Sequence, residues 1–187
     1  QKIAYNILRR ELVNNELQLL ILTDGSGSVI ARGHSANVSG DLIQDNLPWI
    51  APVFSGKAVS GLGYTEDGVP AMLYAVPMVK GSRLLGTIIV GKSFTDRLLS
   101  ASSDIVKSGV GVIASNGYVL SSGRTTDEKQ RLVAPELVSW ALAEFQKPRP
   151  AGPLQAKIVG TTGSSQLSVR IKDTLAPDKP LLLITAE

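Results

Sequence analysis

The sequence predicts an α+β protein, an N-terminal helix followed by two lobes, each a five-stranded antiparallel sheet with helices on one face. Three observations carry this expectation. Short apolar runs alternate with glycine turns over most of the chain. Helical periodicity is confined to a few segments. The order of elements in the first half recurs in the second. The expected division is a helix over 1–16, a first lobe over 17–94, a connecting helix over 95–107 and a second lobe over 108–187.

Residues 1–17 read as a helix because Tyr5, Leu8 and Leu12 recur at three- and four-residue steps while Lys2, Arg9 and Glu11 take other faces. No Ser, Thr, Asp or Asn precedes the pattern, which predicts a segment continuing from a longer helix. The apolar run 17–23 and the run 28–32 flank Asp24-Gly25-Ser26-Gly27 and form a hairpin. Residues 40–54 hold Asp45, Asn46 and Pro48 ahead of Trp49, Ile50, Val53 and Phe54, which predicts short helices across one side of the sheet. Strands follow over 58–65, 69–79 and 83–92, separated by Glu66-Asp67-Gly68 and Lys80-Gly81-Ser82.

Leu98, Leu99, Ala101, Ile105 and Val106 then fall at helical spacing, with Thr95 as N-cap. Strands at 109–114 and 118–121, a polar loop, a helix at 135–145 and strands near 155–160, 165–172 and 181–185 complete the second half. Gly27 to Gly33 overlays Gly117 to Gly123 at an offset of 90 positions, with Val29 on Val119 and Ile30 on Leu120. A sheet under helices leaves room for a small ligand between the layers.

Composition narrows the functional classes. The chain has 187 residues, 43% hydrophobic and 19% charged, a globular balance that excludes disorder. Its longest apolar runs fall far short of the roughly 20 residues a membrane helix needs. Nineteen basic against sixteen acidic residues give a net charge of +3 without any basic run, so no nucleic-acid partner is expected. The absence of cysteine removes disulfides, thiolate metal sites and cysteine nucleophiles. A lone histidine without a G-x-S-x-G elbow argues against an enzyme, although a small hydrolase using His34 is an alternative. No cofactor and no metal are expected, since Asp41 and Asp45 are simpler as helix N-terminal acids.

The most informative stretch runs from Val29 to Asp41. Arg32 and His34 share parity at the end of a strand and would project to one side. A guanidinium grips a carboxylate through two parallel hydrogen bonds and an imidazole can add a third. The pair reads either as an anion grip or as a surface arginine beside a loop-capping histidine. Trp49, Tyr64 and Tyr74 are the aromatics expected to line the cavity, although taken singly an aromatic at such a position is more often core. Arg124 and Arg170 in the second lobe lack a second donor nearby, and no ligand is expected there.

The sequence resembles the extracytoplasmic Cache sensor domains of bacterial membrane receptors, whose folds are related to PAS domains. The resemblance lies in Leu-Thr-Asp24-Gly-x-Gly-x-Val-x-Ala-Arg32-Gly-His34, Gly40-Asp41, Phe54-Ser-Gly56-Lys-x-Val-Ser-Gly61, Ala75-Val-Pro77-Met and Leu85-Gly86-x-Ile-x-Val-Gly91, in that order. It implies a double-lobed, non-catalytic sensor, periplasmic and attached to the inner membrane through segments outside this chain, serving a chemoreceptor, histidine kinase or cyclase. It implies a homodimer through the N-terminal helix and a ligand in the membrane-distal lobe, 17–94. In the citrate-sensing branch an Arg and a His after the second strand grip carboxylates, and Arg32 and His34 stand at those positions. That branch carries further basic residues where this chain has Gly63, Tyr64 and Thr65, so a smaller anion such as acetate or another short organic acid is expected. The Arg followed by Trp-Tyr of the amino-acid-binding branch is absent. The competing class is a cytosolic PAS- or GAF-like dimerisation module without a small-molecule ligand.

Overall fold

The computed structural model describes residues 2–123, 132, 134–147, 154–160, 163–172, 174, 175 and 179–186, with backbone alone at 154–160, 163–172 and 186. The chain forms two compact units, Gln1–Ser93 and Phe94–Glu187.

The first unit opens with α1, Lys2–Asn14. Strands β1, Leu19–Asp24, and β2, Val29–Arg32, form the expected hairpin. The Asp24 carboxylate closes it by accepting from the backbone N–H and hydroxyl of Ser26 and the N–H of Ser28. The hydrogen bond from the Ser26 side chain leads in holding that carboxyl below its ordinary range. A short α2, Ile43–Asn46, and a 3-10 helix, Pro48–Ser55, come next. Then follow β3, Val59–Tyr64, β4, Pro70–Lys80, and β5, Arg83–Ser93. The antiparallel sheet runs β2-β1-β5-β4-β3.

Its two faces are covered differently. Leu8 and Leu12 of α1 pack with Leu20 and Ala31, and with the partly buried Leu22, Ile88 and Val90, so α1 lies on the face those residues share. The alternate residues Ile21, Leu73, Ala75 and Ile89 point the other way and are fully buried. Register aligns them, Ile21 with Ile89 and Ile89 with Ala75. On that side α2 and the 3-10 helix contribute Ile43, Ile50 and Val53, also fully buried. The lobe's own helices lie on one face, and the N-terminal helix covers the other. The inner strand β1 is apolar at both parities, and a strand buried on both faces needs cover on both.

Gly33 permits the close approach of α1. A Cβ there would stand 2.9 Å from the carbonyl oxygen of Leu8.

The second unit holds α3, Asp96–Val106, whose Thr95 cap accepts from the N–H of Leu98. It packs on β6, Val110–Ala114, and β7, Val119–Ser122, so the segment expected as a connector belongs to this unit's fold. Helix α4, Pro135–Glu144, precedes β8, Leu154–Gly160, β9, Gly163–Lys172, and β10, Leu181–Ala186. These strands pair antiparallel in the order β7-β6-β10-β9-β8. Ile113, Leu182 and Ile184 pack with Leu132 and with Leu137 and Ala141 of α4. Arg124 and the side chain of Arg170 lie outside the described residues.

Candidate functional site

The last residue of β2 is Arg32, and the chain turns there, with the Ser35 N–H donating to the Arg32 carbonyl. The returning segment runs back beside the hairpin. The Gly40 N–H donates to the Val29 carbonyl at 2.8 Å and the Val29 N–H to the Asp41 carbonyl at 2.9 Å, which sets Asp41 beside Arg32. At the β3–β4 turn, Thr65 and Val69 pair through their backbones and the Thr65 hydroxyl, presenting Glu66 to the same place.

Arg32 has 3% of its side chain exposed. It donates from Nη1 to Asp41 Oδ1 at 2.8 Å and from Nη2 to Asp41 Oδ2 at 2.7 Å. From Nε it donates to Glu66 Oε2 at 3.1 Å, and from Nη2 to Glu66 Oε1 at 2.9 Å. The remaining Nη1 donor reaches the Val38 carbonyl at 3.2 Å. A guanidinium has five N–H donors, and every one is engaged. His34 Nε2 lies 2.9 Å from Glu66 Oε2. Beside an ionised Glu66 that nitrogen donates, and Nδ1 is buried with no hydrogen-bond partner. Asn46 of α2 donates to Asp41 Oδ2 at 3.0 Å.

The charges shift one another. The bonds from Arg32 hold the Asp41 carboxyl below its ordinary range. Burial pushes the Glu66 carboxyl up, and the hydrogen bonds from His34 and Arg32 outweigh it, so the net shift is downward. The hydrogen bonds with Asp41, followed by those with Glu66, overcome burial and raise Arg32. Arginine plus two carboxylates carries one net negative charge when His34 is neutral.

The structure therefore brings Arg32 and His34 together, on an acid from a distant turn. It does not bring the three aromatics to them as one wall. Trp49 is half-buried on the 3-10 helix. Tyr64 is buried at the end of β3, one residue before the Thr65–Glu66 turn. Tyr74 stands opposite Val90, on the face that carries α1, and is 44% exposed. Its neighbours Leu73 and Ala75 are the inward pair beneath the 3-10 helix, so strand parity turns Tyr74 away from that layer. Glu66 lies 34 positions from Arg32, and no sequence spacing links them; Asp41 was read as a helix-start acid.

Among the described residues no group of three or more His, Cys, Asp or Glu side chains is placed to hold a metal. No helix among them is long and apolar enough to cross a membrane.

No family model matches the sequence, and no curated protein does. Solved structures match along nearly the whole chain. The V. cholerae histidine kinase DctB sensor domain aligns over 99% of this chain and 78% of its own at 15% identity, with a TM-score of 0.50. The likeness is one of fold, and this chain shares the fold of that sensor domain. The sensory domain of the Campylobacter jejuni chemoreceptor Tlp3 shares it at a TM-score of 0.51, covering 98% of this chain and 72% of that one at 9% identity. A Tlp3 ligand-binding domain in complex with 4-methylisoleucine aligns over 97% and 69% at 10% identity, with a TM-score of 0.50.

Proposed function

We propose that this chain is the extracytoplasmic ligand-sensing domain of a bacterial signal-transduction receptor, a chemoreceptor or a sensor histidine kinase, built from two PAS-like lobes. The fragment itself is non-catalytic, and segments outside it attach it to the inner membrane. The ligand is a short organic acid such as acetate, bound in the first lobe and signalled by movement of α1 within a homodimer.

The observation that carries the reading is the buried Arg32 guanidinium on this fold, filled by two carboxylates of the protein itself. Since no donor of Arg32 is spare, an incoming acid binds by exchange with Glu66, whose position on a turn lets it leave while Asp41 keeps its bidentate hold. The acid then takes the bonds of Arg32 and His34. Trp49 and Tyr64 remain the proposed flanking groups. Departure of Glu66 frees the turn at the end of β3 and reorganises the Arg32 segment beside α1; the ligand acts through its difference in affinity for the two arrangements.

Thermal unfolding against acetate, propionate and their amides tests this, in the parent chain and in Glu66→Gln. The acids are expected to raise the midpoint, the amides to leave it unchanged, and Glu66→Gln to respond at lower acid concentration because the competing anion is gone. No response in either chain would favour the second reading, a ligand-free cytosolic dimerisation module. That reading draws on the complete burial of Ile21, Leu73 and Ile89 of the sheet and of Ile50 and Val53 of the 3-10 helix.

A further inference from the structure

A recess lies beside α1 at the β2 edge of the same sheet. It is a cleft of about 370 Å³ between the first turns of α1, strand β2 and the segment 35–39. Its size is within the range of small-molecule sites, roughly 300–1,000 Å³. Lys2, Tyr5 and Asn6 form one wall, Ile30 and Ala31 the floor, and Asn37 and Val38 part of the far wall.

The lining has a definite chemistry. It holds no carboxylate, and Lys2 makes no ion pair among the described residues. The Arg32 side chain also borders the cleft, but its donors are spent on Asp41, Glu66 and Val38. Lys2 is thus the cation left to meet an anion, and the amides of Asn6 and Asn37 supply further donors. Ile30 and Val38 expose 37% and 50% of their surface, so apolar area is open beside the polar wall. One charged end and an apolar body satisfy both halves.

We infer that this cleft is a binding site for an amphipathic organic anion, a monocarboxylate with a short aliphatic chain. The carboxylate meets Lys2 and the asparagine amides, and the chain lies on Ile30 and Val38. Such a ligand bridges α1 to the 35–39 segment. Because Arg32 holds the Val38 carbonyl, the bridge ties the helix to the Arg32 cluster. The inference is independent of exchange at Glu66.

The test is an amide-resolved NMR titration of the chain with hexanoate, hexanamide and acetate, repeated in Lys2→Gln and Ile30→Trp. Hexanoate is expected to shift residues 2–6, 30, 31 and 35–39. Lys2→Gln should weaken it by about three- to tenfold, in line with loss of one exposed charge-assisted contact. Ile30→Trp should fill the cleft and abolish the shifts with the unfolding midpoint retained. Equal binding of hexanamide, or no effect of Lys2→Gln, overturns the anion assignment. Shifts confined to 34, 41 and 64–68 overturn the cleft and leave the exchange site standing; hexanoate in the cleft with acetate nowhere does the reverse. No shift anywhere overturns both.

Discussion

Removing Arg32 would leave Asp41 and Glu66 facing each other with their common counter-ion gone. Breaking a buried pair at one partner costs about 3 kcal/mol even at the low end of the measured range, the end that suits acids with 35% and 21% of their side chains exposed. Arg32→Ala is expected to lose that amount in urea unfolding at neutral pH, with Glu66→Gln losing less because Asp41 keeps its fork. The same acids set the pH response. Their folded carboxyls sit below the ordinary range, so the stability they contribute is present above about pH 4 and is lost as the pH falls through their folded values. Urea midpoints should fall on acidification below that range, and the fall should shrink in Asp41→Asn combined with Glu66→Gln. An unchanged acid slope in the double variant would remove these groups as its source.

Two elements depend on single positions. Thr95 satisfies an N–H at the start of α3, and Thr95→Ala is expected to cost about 1 kcal/mol, read as a lower thermal midpoint. Gly33 matters through space, since its missing side chain lets α1 settle on β2. Gly33→Ala should displace α1, seen as faster amide exchange at Leu8 and Leu12 than in the parent. The elements were largely legible because their signals are local. The Thr95 cap, the Asp24 turn and the alternation of Leu73, Tyr74 and Ala75 each depend on neighbours in sequence. Parity could say that Tyr74 opposes Leu73. Which face lay beneath the 3-10 helix depended on where the helices docked.

Each unit has its own buried cluster and its own antiparallel sheet. A unit with an independent core is expected to fold alone. A fragment covering residues 1–93 should unfold in one cooperative transition by circular dichroism. A fragment that melts without a transition would show that the first unit needs the rest of the chain.

The α+β class, the N-terminal helix, the order of strands and the repeat of that order are readable from local pattern, because periodicity and turn chemistry act over a few residues. Arg32 and His34 stand out in the same way. What they touch is set by the folding of distant segments onto one another. Glu66 reaches them from another turn, Asp41 returns along the hairpin, and the cleft under α1 exists because a helix and a loop meet the sheet edge there. Such contacts join residues far apart in sequence, and their formation depends on the packing of the whole unit, which no local pattern encodes.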